Sequence, residues 1–294
     1  LVSGLADMER PCADITEWGW SVILNKGSSR EVNDIMKIAI IGCGFVGKAF
    51  KAALEVVHDI HVIDPALNTN KLSDHTFYDG ILICVPTPAN VDGSCDYSLL
   101  IDVMDSITDP TIPVMIKSTI DLKAWEHLSA TYANPIVFSP EFLRQDFADR
   151  DLKANKYCIL AGKNCNAWWT ILVQSPTFKR KIYQYAFNEV REAIIMKYAV
   201  NSFLATKVIF FNQLKEFCDD NDIDFDRVRS LVSSDERIGL SHSNVTEQGG
   251  FGGACFPKDT KAFSHMDTNN RMGVLQKAID DNAKYGGEDN EPSL

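Results

Sequence analysis

Short apolar runs alternate with amphipathic stretches over the first two thirds of the chain. The apolar runs, several of them rich in β-branched residues, predict buried strands at residues 37–41, 60–63, 80–85, 112–117, 135–138, 157–161 and 181–185. Stretches with a helical period fall between them, at residues 48–57, 97–107, 121–132 and about 166–173. Such regular alternation is typical of an α/β fold, here a Rossmann-like doubly wound parallel sheet.

The pattern changes near residue 187, where one long helical period begins. Apolar residues recur at helical spacing up to about residue 219, which predicts a helix of roughly 30 residues, about 45 Å long. Lys197 and Asn201 lie four residues apart, on one face of its apolar middle. Shorter helices are predicted at 225–232 and 274–284. A helix this long and apolar favours a helical central domain that forms a homodimer.

These elements divide the chain into a Rossmann-like domain over residues 36–186 and a helical central domain over residues 187–285. Residues 1–35 lack the pattern of a secretory signal, and we interpret them as an upstream extension. Trp18, Trp20 and the apolar run 22–24 favour the alternative of a short added strand. Residues 286–294 are polar and are predicted to be disordered.

Composition narrows the class of function. The 294 residues are 45% hydrophobic and carry a net charge of −11, which is typical of a globular protein and disfavours nucleic-acid or anionic-membrane partners. The eight cysteines form no Cys-x-x-Cys pair, so we expect neither a metal site nor a redox dithiol. Several lie in apolar runs, as reduced thiols do, and no apolar run approaches the length of a membrane span. A cytoplasmic protein is therefore expected.

A glycine-rich loop follows the first predicted strand, and it has the Gly-x-Gly-x-x-Gly spacing of a dinucleotide-binding βαβ unit. The first two glycines permit a tight turn and the approach of a pyrophosphate to the helix N-terminus, and the third permits close helix packing. Asp64 ends the second strand and is expected to bind the ribose 2′-hydroxyl. No arginine follows it to accept a 2′-phosphate, so NAD is favoured over NADP. The expected contacts in the loop are Gly42, Gly44, Phe45, Val46 and Gly47.

Polar residues follow the carboxyl ends of further predicted strands, where ligands bind in open α/β sheets. They are Thr87, Thr119 and Glu141. Taken singly, each is also typical of a turn or a helix cap, and an N-cap is an equal alternative for Thr119. Taken together with the glycine loop and Asp64, they outline a site for the nicotinamide.

A glycine-rich stretch at residues 249–253 leads to Cys255. Pro257 suits the first turn of a helix, which places Cys255 just before a helix N-terminus. The helix dipole and the neighbouring Lys258 favour a thiolate there, and Asp259 lies one helical turn beyond. The alternative is a surface turn with a buried and inert cysteine.

Seven motifs occur in one order over about residues 36–265: GCGFVG at 42–47, VPTP at 85–88, KST at 117–119, SPEFLR at 139–144, KYAVNSFLAT at 197–206, RIG at 237–239 and GFGGACFPKD at 250–259. Together they resemble the UDP-glucose/GDP-mannose dehydrogenase family, and most closely its UDP-glucose-oxidising members. The last motif is highly specific, whereas the first is shared by many dehydrogenases.

The resemblance implies an NAD-dependent oxidation of a nucleotide sugar from CH2OH through an aldehyde to a carboxylate, with two hydrides leaving to two NAD molecules. It implies that Cys255 attacks the aldehyde to form a thiohemiacetal, which is oxidised to a thioester and hydrolysed. It further implies that Lys197 and Asn201 stabilise the oxyanion. Asp259, with Lys197 and an ordered water, would handle protons.

The remaining roles also come from the resemblance. Thr119 and Glu141 are implied to position that water and the reacting carbon. The implied NAD contacts are Thr87, Thr119 and Lys258, together with Gln145, which stands where the family has glutamate. The implied substrate contacts are Lys197, Asn201, Gly252 and the peptide groups of Phe142, Leu143 and Arg144.

Two alternatives stay open. A β-hydroxyacid dehydrogenase has a similar length and its own Lys-x-x-x-Asn helix, but it transfers one hydride and needs no nucleophilic thiol. The family pattern also continues into a C-terminal nucleotide-binding domain that this sequence lacks, so we expect a fragment or a short form. An inactive NAD-binding remnant is the second alternative, and the intact Cys255, Lys197, Asn201 and Asp259 argue against it.

Overall fold

The computed structural model describes residues 21–22, 34–75, 77–155, 157–179, 183–187 and 189–286. Most of the predicted extension and tail, including Trp18 and Trp20, lies outside the described residues. Two compact units make up the chain. The first comprises residues 1–86, 99–119 and 127–193, and the second comprises residues 87–98, 120–126 and 194–294.

An eight-stranded sheet forms the centre of the first unit. Its strands are β1 (Ser21–Val22), β2 (Lys37–Ile41), β3 (Asp59–Ile63), β4 (Gly80–Ile83), β5 (Val114–Ile116), β6 (Ile136–Phe138), β7 (Tyr157–Gly162) and β8 (Tyr183–Phe187). The order across the sheet is β1-β8-β7-β6-β5-β4-β2-β3. The predicted doubly wound α/β fold is confirmed, with an antiparallel pairing of β6 and β7 that the prediction did not include. The short added strand that the run 22–24 favoured as an alternative has a counterpart in β1, which pairs antiparallel with β8.

The order of the strands reverses at β2, which pairs in parallel with both β3 and β4. Its core residues Ile38, Ala39 and Ile40 are all fully buried, and because successive residues point to opposite faces, both faces of the strand are covered. In the register Ile41 lies beside Ile63 on one side and Ile83 on the other. The three carboxyl ends are therefore level, and the residues that follow them share the sheet edge at which such folds bind ligands.

The described residues contain ten α-helices: α1 (Phe45–Leu54), α2 (Ser98–Asp105), α3 (Leu122–Thr131), α4 (Ala148–Ala154), α5 (Cys165–Gln174), α6 (Pro176–Lys179), α7 (Val190–Asp220), α8 (Phe225–Ser233), α9 (Phe256–Met266) and α10 (Gly273–Asn282). Short 3-10 turns lie at Leu72–Asp74, Gln145–Phe147 and Ala283–Tyr285. The predicted long helix exists, but it begins at Val190, because the chain up to Phe187 forms β8. Neither α4 nor α6 was predicted.

The second unit is built on α7, whose 31 residues make it about 46 Å long. A small apolar core forms where Ala205 and Ile209 of α7 pack with Phe251 and Ala278. By length and composition alone α7 could cross a membrane, so the expectation that no segment is long and apolar enough was wrong. A core helix of a soluble protein meets the same criterion, and 44% of the most apolar window of α7 is buried inside the protein.

Candidate active site

The glycine loop of the first unit is shaped by two glycines that the backbone requires. Gly42 has φ +83°, and a Cβ atom there would lie 2.7 Å from the carbonyl oxygen of Cys84. A Cβ atom at Gly47 would lie 2.2 Å from the carbonyl oxygen of Gly42. At Gly44, by contrast, a Cβ atom would meet nothing within 4 Å. The loop therefore needs Gly42 and Gly47 for its own conformation, whereas Gly44 leaves an open space beside the helix.

That open space lies at the N-terminus of α1. The first hydrogen bond of this helix runs from Lys48 N–H to Gly44 O, at 2.9 Å. The amides of Phe45, Val46 and Gly47 precede it, so they point out of the helix end without a partner in its ladder. No acidic residue occupies the first turn. A helix end of this kind, with a positive dipole and free space, fits a pyrophosphate.

Asp64 lies at the end of β3, beside this loop. Its Oδ2 atom accepts the N–H of Cys43 at 2.6 Å, and its Oδ1 atom accepts the N–H of Ala66 at 2.9 Å. Each carboxylate oxygen keeps acceptor capacity for one more donor, such as a ribose hydroxyl. The glycine loop, the helix end and Asp64 are therefore compatible with NAD, and the contact of each residue with the cofactor stays a prediction.

The loop after β6 carries the residues predicted to contact substrate. Leu143 is buried. The guanidinium of Arg144 donates two hydrogen bonds to the carboxylate of Asp151, from Nε to Oδ2 at 2.8 Å and from Nη2 to Oδ1 at 2.6 Å. This hydrogen bonding raises the pKa of Arg144 and lowers the pKa of Asp151. Gln145 is exposed and opens the 3-10 turn. The main chain of Arg144 is used within the loop as well, because its N–H donates to Asp151 Oδ2 at 3.1 Å and its carbonyl oxygen accepts the N–H of Phe147 at 3.0 Å. The contact of this peptide group with substrate stays a prediction.

Two threonines were predicted to contact NAD. Asp121, and not Thr119, caps α3, because its Oδ1 atom accepts the N–H of Ala124 at 2.7 Å. The alternative role of Thr119 as the N-cap is therefore wrong.

Thr87 is buried in the second unit, where its side chain hydrogen-bonds with Cys95. Burial raises the pKa of Cys95 to about 11, which makes this thiol inert at neutral pH.

The stretch that leads to Cys255 is fixed by side chains from both of its neighbouring helices. Phe251 N–H donates to Asn282 Oδ1 at 2.7 Å, and Asn282 Nδ2 donates back to Phe251 O at 2.9 Å. Asn212 on α7 donates to Gly249 O at 2.9 Å. Gly249 has φ +71°, and a Cβ atom there would lie 2.2 Å from Tyr285 O. The glycines therefore allow the chain to lie flat against α7 and the end of α10.

Cys255 is the N-cap residue of α9, and Pro257 lies in the first turn, as the sequence predicted. The N–H of Asp259 donates to Cys255 O at 2.9 Å, which places the carboxylate one turn beyond the thiol. Gly252 is partly buried, three residues before Cys255. The local sequence thus brings a cysteine and an aspartate to the same helix end.

Asp259 is the centre of the site in the second unit, with a side chain only 1% exposed. Its Oδ2 atom accepts Asn201 Nδ2 at 2.5 Å and lies 3.9 Å from Lys197 Nζ. Its Oδ1 atom accepts Lys258 Nζ at 2.6 Å. The predicted set Lys197, Asn201 and Asp259 is therefore brought together, with two ammonium groups around one buried carboxylate.

The charge state of Cys255 differs from the prediction. Burial raises its pKa, and the Asp259 carboxylate raises it further, whereas Lys197 and Lys258 lower it. The cations act in the expected direction, but burial outweighs them, so the thiol is protonated at neutral pH. A nucleophilic role of Cys255 would therefore require that the thiol lose this proton.

Lys258 was predicted to contact NAD, and in the structure its ammonium binds Asp259. Burial lowers its pKa, but the charge of Asp259 and the hydrogen bond to it prevail and raise the pKa.

The sequence pattern did not predict a role for two buried residues. Lys117 lies in the KST motif at 117–119 and is buried. The hydroxyl of Tyr198 is buried without a hydrogen-bond partner among the described residues.

Comparison with known proteins places these features in a family. The model of the "UDP-glucose/GDP-mannose dehydrogenase family, NAD binding domain" matches residues 65–184, and the model of its central domain matches residues 191–284. The glycine loop and Asp64 directly precede the first range, and Cys255 lies in the second. UDP-glucose 6-dehydrogenase YwqF of Bacillus subtilis is 30% identical over an alignment 280 residues long, which covers 80% of this chain. The chain spans 62% of the length of that relative.

Solved structures share the fold. A UDP-glucose dehydrogenase from Pyrobaculum islandicum superposes with a TM-score of 0.72 at 22% identity, covering 88% of this chain and 70% of that one. The 3-hydroxyisobutyrate dehydrogenase of Mycobacterium tuberculosis gives 0.64 at 16% identity, covering 86% and 94%. These likenesses show the fold alone. The two family models, however, match well over half of the chain, and the cofactor of the matched NAD binding domain is NAD. The chain belongs to the UDP-glucose/GDP-mannose dehydrogenase family.

Proposed function

We propose that this chain oxidises the CH2OH group of a nucleotide sugar of the UDP-glucose class to a carboxylate, with a covalent intermediate on Cys255. The observation that carries the proposal is the buried Asp259 with Lys197, Asn201 and Lys258 around it, one helical turn from Cys255. The Bacillus subtilis relative named UDP-glucose 6-dehydrogenase supports the class of substrate. A thiol nucleophile is needed only where an acyl intermediate is hydrolysed.

The balance of the reaction sets what the protein has to do. One sugar CH2OH, one water and two NAD give one carboxylate, two NADH and three protons. When bound at the glycine loop, NAD supplies the chemistry of two successive two-electron oxidations. Between them Cys255 Sγ bonds to the aldehyde carbon to form a thiohemiacetal. Oxidation of this adduct gives a thioester, and water then breaks the bond to sulfur and restores the thiol.

The side chains around Asp259 move protons and stabilise charge. When Cys255 adds to the aldehyde, negative charge develops on the carbonyl oxygen, and Lys197 Nζ with Asn201 Nδ2 are the donors that stabilise it. Asp259 accepts hydrogen bonds from Asn201 and Lys258, and we assign to it the transfer of protons from the sugar hydroxyl and from the thiol. We assign to Thr119 and Glu141 the positioning of the water and the reacting carbon, as the family resemblance implies.

The stoichiometry of NADH tests this proposal. The chain is incubated with UDP-glucose, GDP-mannose and UDP-N-acetylmannosamine in turn, and NADH and the sugar product are measured together. We expect two NADH per sugar oxidised and a carboxylate product. One NADH per sugar would exclude the thioester scheme.

Substitutions in the second unit separate the two oxidations. Cys255→Ser is expected to stop at an aldehyde or acyl stage, because the serine hydroxyl is a weaker nucleophile and a poorer leaving group. Lys197→Ala is expected to lower kcat at least about 100-fold through loss of one oxyanion donor. Unchanged carboxylate output from Cys255→Ser would remove this residue from the mechanism.

A second candidate is the single oxidation of a β-hydroxyacid. The likeness to the 3-hydroxyisobutyrate dehydrogenase, which extends over 94% of that chain, is the observation that favours it. It would yield one NADH from 3-hydroxyisobutyrate, and it would be insensitive to Cys255→Ser. Because the chemistry of Cys255 is then unused, we place it second.

We also infer a homodimer through α7. Phe203, Phe210 and Phe217 are 70%, 55% and 61% exposed, and their seven-residue spacing puts them on one face of the helix. Three exposed phenylalanines in line are typical of an interface and not of a solvated surface.

A cytoplasmic location is part of the same proposal. The seven described cysteines are all free, which fits a reducing compartment. We propose no nucleic-acid or membrane partner, because the net charge of −11 repels both surfaces.

A further inference from the structure

Lys117 is a buried lysine with acceptors on three consecutive residues. It directly follows β5, and its side chain is only 3% exposed. Its Nζ atom lies 3.1 Å from Ser139 Oγ, 3.4 Å from Pro140 O and 2.9 Å from Glu141 Oε2. An ammonium group has three N–H donors, so all of them are used. Buried lysines are rare because the charge is costly to desolvate, and each acceptor here offsets part of that cost.

The sheet brings these groups together. Strands β5 and β6 are parallel neighbours, with Ile116 opposite Phe138, so Lys117 lies next to the start of the loop after β6. The ring of Phe50 on α1 lies 4.6 Å from Lys117 Nζ, within the range of a cation–π contact. The position of the ammonium is therefore set by contacts with the loop after β6 and with α1.

The carboxylate of Glu141 is fixed at both oxygens. Oε1 accepts the N–H of Phe142 at 2.8 Å, and Oε2 pairs with Lys117. The side chain is 11% exposed, in a small cavity whose apolar walls include Phe50, Leu152 and Phe178. In such surroundings an ion pair is screened weakly, so the pair holds the carboxylate firmly. Each oxygen keeps acceptor capacity for a water or a hydroxyl.

We propose that Lys117 is the positioning residue of Glu141. It sets the course of the backbone at Ser139 and Pro140 and the direction of the Glu141 carboxylate, which then holds water and the reacting carbon in place. This inference rests on the function proposed above, because it gives Glu141 a part in that reaction. It predicts that Lys117 acts on turnover only through Glu141.

A double-mutant cycle on kcat tests this dependence. Lys117→Met is expected to lower kcat about 100-fold, as a misplaced catalytic group does, with KM for the nucleotide sugar and for NAD within about twofold of the wild type. Glu141→Gln alone is expected to lower kcat about 100- to 1,000-fold. The double variant should then lose no more than about twofold beyond Glu141→Gln.

Lys153→Met is the matched control. Lys153 forms an ion pair of similar length with Asp149, at 2.7 Å, but both side chains are about 60% exposed on α4. We expect its kcat to equal that of the wild type. Should Lys117→Met not fold, Ser139→Ala removes one acceptor of the same ammonium and keeps the pair. It is expected to lower kcat about fivefold, and to have no effect in the Glu141→Gln background.

The outcomes separate this inference from the proposed function. Losses that multiply in the double variant, in an active wild type, would overturn the positioning role alone. A fall in the melting temperature with unchanged kcat would do the same, because a merely structural lysine gives that result. A wild-type chain that oxidises none of the three nucleotide sugars would overturn both proposals.

Discussion

Asp259 offers a direct test of how the second unit balances its buried charges. Asp259→Asn keeps the shape of the side chain and removes one negative charge. The carboxylate is 1% exposed and bonds Lys258 Nζ at 2.6 Å and Asn201 Nδ2 at 2.5 Å, with Lys197 Nζ at 3.9 Å. The side chains of Lys197 and Lys258 are themselves 6% and 19% exposed. Asp259→Asn therefore leaves two poorly hydrated ammonium groups without a counter-charge.

The expected cost follows from this burial. Breaking a buried ion pair by removing one partner costs about 3–5 kcal/mol, because the remaining charge is not solvated. For a protein of this size that corresponds to a fall in melting temperature of about 10 °C. Asp219→Asn is the matched control. Its pair with Lys215 is as short, at 2.5 Å, but the side chains are 57% and 42% exposed, so we expect less than about 1 kcal/mol.

Thermal unfolding followed by circular dichroism provides the assay. Combining Asp259→Asn with Lys197→Met removes one of the two cations that faced the lost carboxylate, so the double variant should be more stable than Asp259→Asn alone. Two results would refute the reasoning. One is an Asp259→Asn variant as stable as Asp219→Asn, and the other is a double variant that loses the sum of both single effects.

Asp259→Asn is also expected to make the thiol of Cys255 more reactive, because it removes a neighbouring negative charge. Burial is the largest cause of its raised pKa, and the Asp259 carboxylate adds to it. Asp259→Asn removes that anion and leaves Lys197 and Lys258, so the pKa of the thiol falls. We expect iodoacetamide to alkylate Cys255 faster at pH 8 than in the wild type, as peptide mapping would show, although turnover is lost. A slower reaction would contradict the assigned electrostatics.

The remaining predictions concern the cofactor loop, the long helix and one buried hydroxyl. Gly47→Ala is expected to lower the melting temperature and NAD affinity, because its Cβ atom would lie 2.2 Å from a carbonyl oxygen. Gly44→Ala should keep the melting temperature and still weaken NAD binding in a fluorescence titration. An unchanged affinity for NAD would count against a pyrophosphate site at the glycine loop. Phe203→Gln with Phe210→Gln should yield a monomer in sedimentation velocity, whereas a dimer would exclude α7 as the interface. Tyr198→Phe should leave stability unchanged or raise it, since the hydroxyl has no partner among the described residues, and a clear fall in melting temperature would contradict this.

Sequence patterning predicted those parts of the fold in which periodicity reflects burial. Parallel strands covered on both faces give continuous apolar runs, so β2 and β4 to β6 stand out along the chain. The direction of a strand leaves no such trace, which is why the antiparallel pairing of β6 with β7 was not predicted. Helix α4 is seven residues long and buries only Ala148 and Leu152, too few positions for a helical period.

The site was predictable where the chemistry is local. Pro257 and the preceding glycines predicted that a helix starts at Cys255, as α9 does. The spacing of Lys197 and Asn201 predicted that both lie on one face of α7. The degree of burial was not visible, because it depends on how α7 and α9 pack, and burial decides the protonation of Cys255. Lys117 was missed for a similar reason. Its acceptors follow about 22 residues later in the chain and meet it only through the register of β5 and β6.

Each of the two carboxylates proposed to act in the reaction forms an ion pair with a buried or partly buried lysine. Lys117 pairs with Glu141 at 2.9 Å, and Lys258 pairs with Asp259 at 2.6 Å. A carboxylate buried without such a partner would take up a proton and lose its value as an acceptor. Each lysine offsets part of the cost of burying its carboxylate, whereas burial raises the pKa of the Cys255 thiol and keeps it protonated at neutral pH. In the proposed reaction the thiol is therefore protected in the resting protein, and a thiolate forms only when its proton is removed.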